Sequence, residues 1–496
     1  MQWSVTSTPS AATPADLLVF PVFQKDDKPD VKGLPASDMK KAVASSGFTA
    51  KAESFLPMHS PGIKAGWVLL AGAGKSEELG LDKVRRIAGL AARKAQEMDA
   101  ARVLVVVPEA KLLAFDDQTF ARCWTEGAEM ALSPTGILKT DQAKGTSKPR
   151  SWKFLVDGKR ATALRKGIKE GEALAAGCLF ARGLVNEPPN ILTPGAMASR
   201  ARSMAKAEGL AIKVLNVAQM KKLNMGGILG VGQGSTKPPC LIELTYKAPG
   251  RAKRPHVALV GKGVTFDTGG ISLKPGLGMD LMKSDMGGAA AVLGAALIVA
   301  RLKLPVDLTV LVPAAENMPD GNAVRPADVI TMASGKTVEI LNTDAEGRLI
   351  LADALWYAGK KNPDFVMDAA TLTGACVVAL GKHFAGLMGN SGELIDTLKQ
   401  AGGETFERVW HLPLVDEHKE IMKGTWSDLQ NMGGGREGGA LTAAAFLAAF
   451  VDEETPWAHI DIAGPSYAEA PSPTCPKGGT GFGARLMARA VQILAG

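Results

Sequence analysis

Short apolar runs alternate with amphipathic or Ala/Leu-rich stretches along the whole chain. Leu17–Phe23 and Val103–Val107 are uninterrupted apolar runs, as expected of strands buried on both faces. Val68–Leu70 predicts another strand. The Ala71-Gly72-Ala73-Gly74-Lys75-Ser76 segment after it reads as a turn. It lacks the first glycine of a nucleotide-binding loop, because position 69 is Leu69. Leu81–Asp99 places Val84, Ile87, Leu90 and Ala91 on one helical face. Thr140–Arg150 is polar and predicts a loop. Arg160 to Val185 predicts a helix, broken by Asn186-Glu187-Pro188-Pro189-Asn190. The pattern divides the chain into an N-terminal α/β domain (1–160), a linking helix (161–185) and a larger domain (186–496).

In that larger domain, apolar runs at 257–260, 307–312, 338–341, 364–369 and 458–462 alternate with helical stretches. This predicts a sheet covered on both faces. The fold class is therefore α/β, with a central mixed sheet flanked by helices in the larger domain. The most apolar helical stretches, Ala289–Ala300 and Ala440–Val451, fall short of the roughly 18 residues that suggest a membrane span. No membrane association is expected.

Composition changes this picture little. Of the 496 residues, 46% are hydrophobic and 22% charged, which suits a globular protein long enough for two cores. The N-terminus has no basic region followed by an apolar core, so no signal peptide is expected. The five cysteines are scattered without a CxxC pair, as free thiols in a reducing cytoplasm would be. The net charge is +7, with the basic excess near the N-terminus. Between Lys139 and Lys169, ten basic residues face only Asp141 and Asp157. Two readings stay open for this segment: a solvated interdomain face, or a phosphate-contacting patch that binds DNA.

The chemistry concentrates in two segments. Asn342-Thr343-Asp344-Ala345-Glu346-Gly347-Arg348-Leu349 places two carboxylates at i and i+2. In an extended segment both point to one side. Carboxylates held together repel unless a proton or a cation lies between them. Arg348 adds a fork of donors suited to an oxyanion. Upstream, Lys262, Asp267 and Lys274 lie among glycines after the run Val257–Val260, and Asp285 precedes the helical run from Ala289.

Together these segments resemble, nearly residue for residue, the signature of the leucyl aminopeptidase family of dinuclear metallopeptidases. The octapeptide at 342–349 is one hallmark and Val260–Pro275 the other. The likeness continues in Asp368–Gly374, Trp457–Gly464 and Gly479–Gly483. The resemblance implies two divalent ions, Mn²⁺ or Zn²⁺, held by Lys262, Asp267, Asp285, Asp344 and Glu346. Asp267 and Glu346 would be shared between the ions. It implies that Lys274 stabilises the oxyanion of the reaction, and that Arg348 holds a bicarbonate acting as general base. Met282, Thr371, Leu372, Gly374 and Ala463 would line the substrate side-chain pocket. The expected substrates are peptides with a free N-terminus, preferentially beginning with leucine or a similar residue. The expected assembly is a cytoplasmic homohexamer. A DNA-binding architectural or regulatory protein, with the peptidase site secondary, is the alternative. His459 sits in an apolar strand-like run and reads as a buried histidine rather than a base.

Overall fold

The computed structural model describes residues 1–10, 12–31, 34, 36–60, 63–134, 138–140, 149–250, 254–433, 435 and 437–496. They form two compact units. One is Met1–Ala175 with Ala470–Pro476, and the other is Ala176–Glu469 with Lys477–Gly496.

The first unit is built on a seven-stranded sheet. Five strands run parallel in the order Gln2–Thr6, Ser151–Leu155, Arg102–Val106, Ala15–Lys25 and Ala65–Lys75. Phe55–Met58 closes one edge antiparallel. Alternate side chains serve two cores. Leu17, Val19 and Leu69 pack with Ile87, Ala91 and Trp124, whereas Leu18, Val68 and Leu70 pack with Met39 and Val43. Burial on both faces explains the uninterrupted apolar runs. The helix expected at Leu81–Asp99 spans Leu81–Glu97, with Val84, Ile87 and Ala91 buried. The glycine-rich segment after Leu70 is not a turn. The strand continues through it to Lys75, held by parallel pairing with Ala15–Lys25.

The second unit holds a nine-stranded mixed sheet. Its centre is four parallel strands in the order Trp457–Asp461, Phe365–Ala370, His256–Gly261 and Asp307–Asn317. Gly263–Asp267 also pairs with Asp307–Asn317. Antiparallel neighbours flank the centre: Ala385–Gly389 on one side, Cys240–Lys247 on the other. The run at 338–341 does not join this sheet. Thr337–Glu339 pairs instead with Val329–Thr331 and Leu429–Gln430 in a separate three-stranded sheet. An apolar run signals burial, not which sheet receives it. Gly287–Leu302, Gly347–Gly359 and Gly439–Ala448 are almost wholly buried helices. The helical stretch Met279–Leu302 reaches 24 residues and has the mean hydropathy of a span, but 89% of its most apolar window is buried within the fold.

Candidate active site

The site lies where the central parallel strands end, the place where open α/β sheets receive ligands. Lys262 directly follows His256–Gly261. Its N–H donates to the Ala369 carbonyl at 3.1 Å, and its own carbonyl accepts from the Ala289 N–H at 2.8 Å. The residue is thus fixed between the next strand and the helix Gly287–Leu302. Asp267 ends the strand Gly263–Asp267. Its Oδ1 accepts from the Gly269 N–H at 2.9 Å and from Asn317 Nδ2 at 2.8 Å. Asp285 follows the short helical turn Met279–Ser284 and accepts from the Thr371 hydroxyl at 2.8 Å.

Asp344 and Glu346 do not lie in an extended segment. Glu346 has helical torsions, φ −78° and ψ −34°, at the entry to the helix Gly347–Gly359. The Asn342 side chain accepts from the Asp344 N–H at 2.8 Å and closes a turn there. The carboxylates converge nonetheless: one oxygen from each of Asp267, Asp344 and Glu346 lies within 4.8 Å of the others. Thr343 locks the two motifs together. Its hydroxyl donates to the Gly269 carbonyl at 2.6 Å and accepts from the Ser272 N–H at 2.8 Å. A Cβ at Gly347 would stand 2.5 Å from Lys262 Cε and 2.7 Å from its Nζ, so a larger residue there would displace the Lys262 amine.

Four carboxylates (Asp267, Asp285, Asp344, Glu346) face three cations (Lys262, Lys274, Arg348). Lys262 Nζ lies 2.8 Å from Asp285 Oδ2 and 2.9 Å from Glu346 Oε1, and donates to the Thr371 carbonyl at 2.9 Å. Lys274 Nζ lies 2.8 Å from Asp267 Oδ2 and also contacts Asp344. Burial disfavours charge on both lysines. The carboxylates outweigh it and hold both amines above their ordinary range. Burial, reinforced by neighbouring carboxylates, pushes Asp285 up to about 8 and raises Glu346. Burial also lowers Arg348, to about 10, so its guanidinium stays charged at neutral pH.

All twelve residues assigned a site role from the sequence line one cavity of about 810 Å³. Lys262, Asp267, Lys274, Asp285, Asp344, Glu346 and Arg348 are among its polar lining. Met282, Thr371, Leu372, Gly374 and Ala463 line it as well. His459 lies elsewhere, fully buried, with Nδ1 2.5 Å from Asp368 Oδ1. Three residues that organise the site escaped the sequence reading. Asn317 bonds both Asp267 and the Thr343 carbonyl. Asn431 accepts from the Leu341 N–H and donates to the Asn342 carbonyl. Asp461 accepts from the Leu372 and Ala463 N–H groups and from the Thr373 hydroxyl. Asp461 alone carried a signal, since it stands inside the motif segment Trp457–Gly464.

Residues 179–488 match the model of the cytosol aminopeptidase family catalytic domain, and residues 19–142 that of the family's N-terminal domain. A probable cytosol aminopeptidase of Solibacter usitatus is 42% identical over 490 residues, covering 99% of this chain and 98% of the relative. Another, from Roseiflexus castenholzii, is 42% identical over 500 residues, covering 99% of each. Among solved structures, the bottromycin maturation enzyme BotP in complex with Mn superposes with a TM-score of 0.86 at 34% identity, covering 97% of this chain and 100% of that one. A mutant tomato leucine aminopeptidase superposes with a TM-score of 0.87 at 32% identity, covering 99% and 96%. The likeness spans both units: the chain belongs to the cytosol aminopeptidase family.

Proposed function

We propose that this aminopeptidase is metal-dependent and releases leucine or similarly sized residues from peptide N-termini. The convergence of Asp267, Asp344 and Glu346 on one cavity, with Lys262 and Asp285 beside them, carries this reading. The donor set fits divalent ions. It is rich in hard oxygen, contains no cysteine, and leaves Glu346 Oε2 buried without a hydrogen-bond partner. Lys262, Asp267, Asp285, Asp344 and Glu346 would hold two ions, with Lys262 giving up a proton to take part. Mn²⁺ is supported by the manganese complex of BotP, and Zn²⁺ suits the same ligands. When bound, such a pair supplies Lewis acidity and an activated water.

The chain's own groups do the rest. Lys274 keeps its charge and stands beside the carboxylate cluster, placed to stabilise a developing oxyanion. Arg348 presents a buried guanidinium whose Nε has no partner, which suits a small oxyanion such as bicarbonate in the role of general base. Met282, Thr371, Leu372, Gly374 and Ala463 offer an uncharged surface for the first side chain. A free α-amine would supply a ligand to one of the ions, which an acylated N-terminus could not.

The test compares leucyl-p-nitroanilide with its N-acetyl derivative. Only the free amine should be turned over, and equal rates would refute an aminopeptidase. The relatives' names support a cytoplasmic location, and the homohexamer rests on the family resemblance, to be checked by sedimentation. The DNA-binding alternative has no support in the comparisons, although Lys153, Lys159, Arg165, Lys166 and Lys169 are exposed. In the basic segment, residues 141–148 lie outside those described, and Arg160 is committed internally to Asp117 at 2.5 Å and to the Pro108 carbonyl.

A further inference from the structure

One wall of the cavity is made by two stretches of chain, Thr371–Lys382 and Ala463–Glu469. At the inner end Asp461 ties them together, accepting from the Thr373 hydroxyl at 2.7 Å and from the Ala463 N–H at 3.1 Å. Farther along they touch directly: a Cβ on Gly464 would stand 2.1 Å from the Gly381 carbonyl oxygen. At the outer end Lys382 Nζ meets Glu469 Oε1 at 2.5 Å. Both residues line the same cavity as the carboxylate cluster.

This ion pair is a poor structural strut. Its side chains are 51% and 65% exposed, and water screens such pairs so well that they add little to stability. Its position gives it another use. Thr371, Leu372, Gly374 and Ala463, read as the pocket for the substrate's first side chain, lie on these two stretches. Lys382 and Glu469 lie farther along the same two stretches and line the same cavity.

We propose that Lys382 and Glu469 form a mutually neutralised end to this pocket and so set its selectivity for uncharged N-terminal side chains. This rests on the aminopeptidase reading above. Either residue alone would attract one sign of substrate charge and repel the other. Paired, they offer a charged side chain no net counter-charge for the water it gives up.

The experiment measures kcat/KM for leucyl-, glutamyl- and lysyl-p-nitroanilide with the metal-loaded enzyme. The proteins are wild type, Glu469→Gln, Lys382→Met and the double variant. Wild type should prefer the leucyl substrate over both others. Glu469→Gln should raise the glutamyl-to-lysyl ratio about tenfold at low salt, and Lys382→Met should lower it by a similar factor. Both shifts should shrink at about 0.5 M salt, and the double variant should return to the wild-type ratio. A purely structural pair would move the ratio in neither direction. A ratio that stays put, or moves the same way in both single variants, overturns this inference while leaving the aminopeptidase reading intact. No turnover of any of the three by wild type would overturn both.

Discussion

Buried charge occurs in both units of this chain, in different arrangements. In the first unit Arg85 meets Glu126 at 2.9 Å, with side chains 3% and 0% exposed. In the second, Asp267, Asp285, Asp344 and Glu346 crowd together with Lys262, Lys274 and Arg348 on the wall of one cavity. The Arg85–Glu126 contact joins one charge of each sign within a packed core. The cavity cluster brings like charges together, and Asp285 and Glu346 are raised by burial and by neighbouring carboxylates. The difference teaches that burial of charge does not mark a site. An excess of one sign converging on open volume does.

The largest effect that could break this comparison is at Glu346. Glu346→Ala should lower leucyl aminopeptidase activity on the order of a thousandfold or more and reduce bound metal, because the residue would serve both ions. Two ions retained by this variant, as counted by elemental analysis, would remove it from the ligand set. Glu126→Ala should cost about 3–5 kcal/mol of unfolding free energy, since it withdraws the carboxylate from a buried arginine. Its kcat at low temperature should stay at the wild-type value, and a matching loss of kcat would erase the contrast between the two places. Lys274→Ala should reduce kcat about a hundredfold to a thousandfold with metal content and KM held. A lost ion would make Lys274 a ligand instead.

The smallest effect concerns a third buried pair, His459 and Asp368. Burial pushes the imidazole down, but the adjacent Asp368 carboxylate outweighs it and holds His459 above its ordinary value of 6.5. The stabilisation from this pair is therefore fully present below about pH 6.5 and fades as pH rises through the folded-state value. The difference in unfolding free energy between wild type and His459→Gln should accordingly narrow from pH 6 to pH 9. A gap that widens would reverse the assignment.

Much of the site was legible because its chemistry is local. Lys262, Asp267 and Lys274 fall within thirteen consecutive residues, and Asp344, Glu346 and Arg348 within five. Dense glycine and charge over such short spans leave few bland explanations. The frame around them was not legible. Asn317 and Asn431 look like ordinary polar residues, and their partners lie 26 to 90 positions away. Local geometry is not legible either. Residues 344–346 converge through a turn into a helix, although spacing alone fits a strand equally well. The run at 338–341 was recognised as apolar, but only pairing partners distant in sequence show that it belongs to a small separate sheet. The same holds for Ala71–Lys75, whose glycines look like a turn and whose strand pairing overrides that preference.

The central claim is that the carboxylate cluster holds two divalent ions on which activity depends. Metal-stripped protein, verified by elemental analysis, should be titrated with Mn²⁺ and separately with Zn²⁺ while hydrolysis of leucyl-p-nitroanilide is followed. The account predicts no turnover in the stripped protein and recovery that saturates at about two ions per chain. Full activity in verified metal-free protein would contradict it.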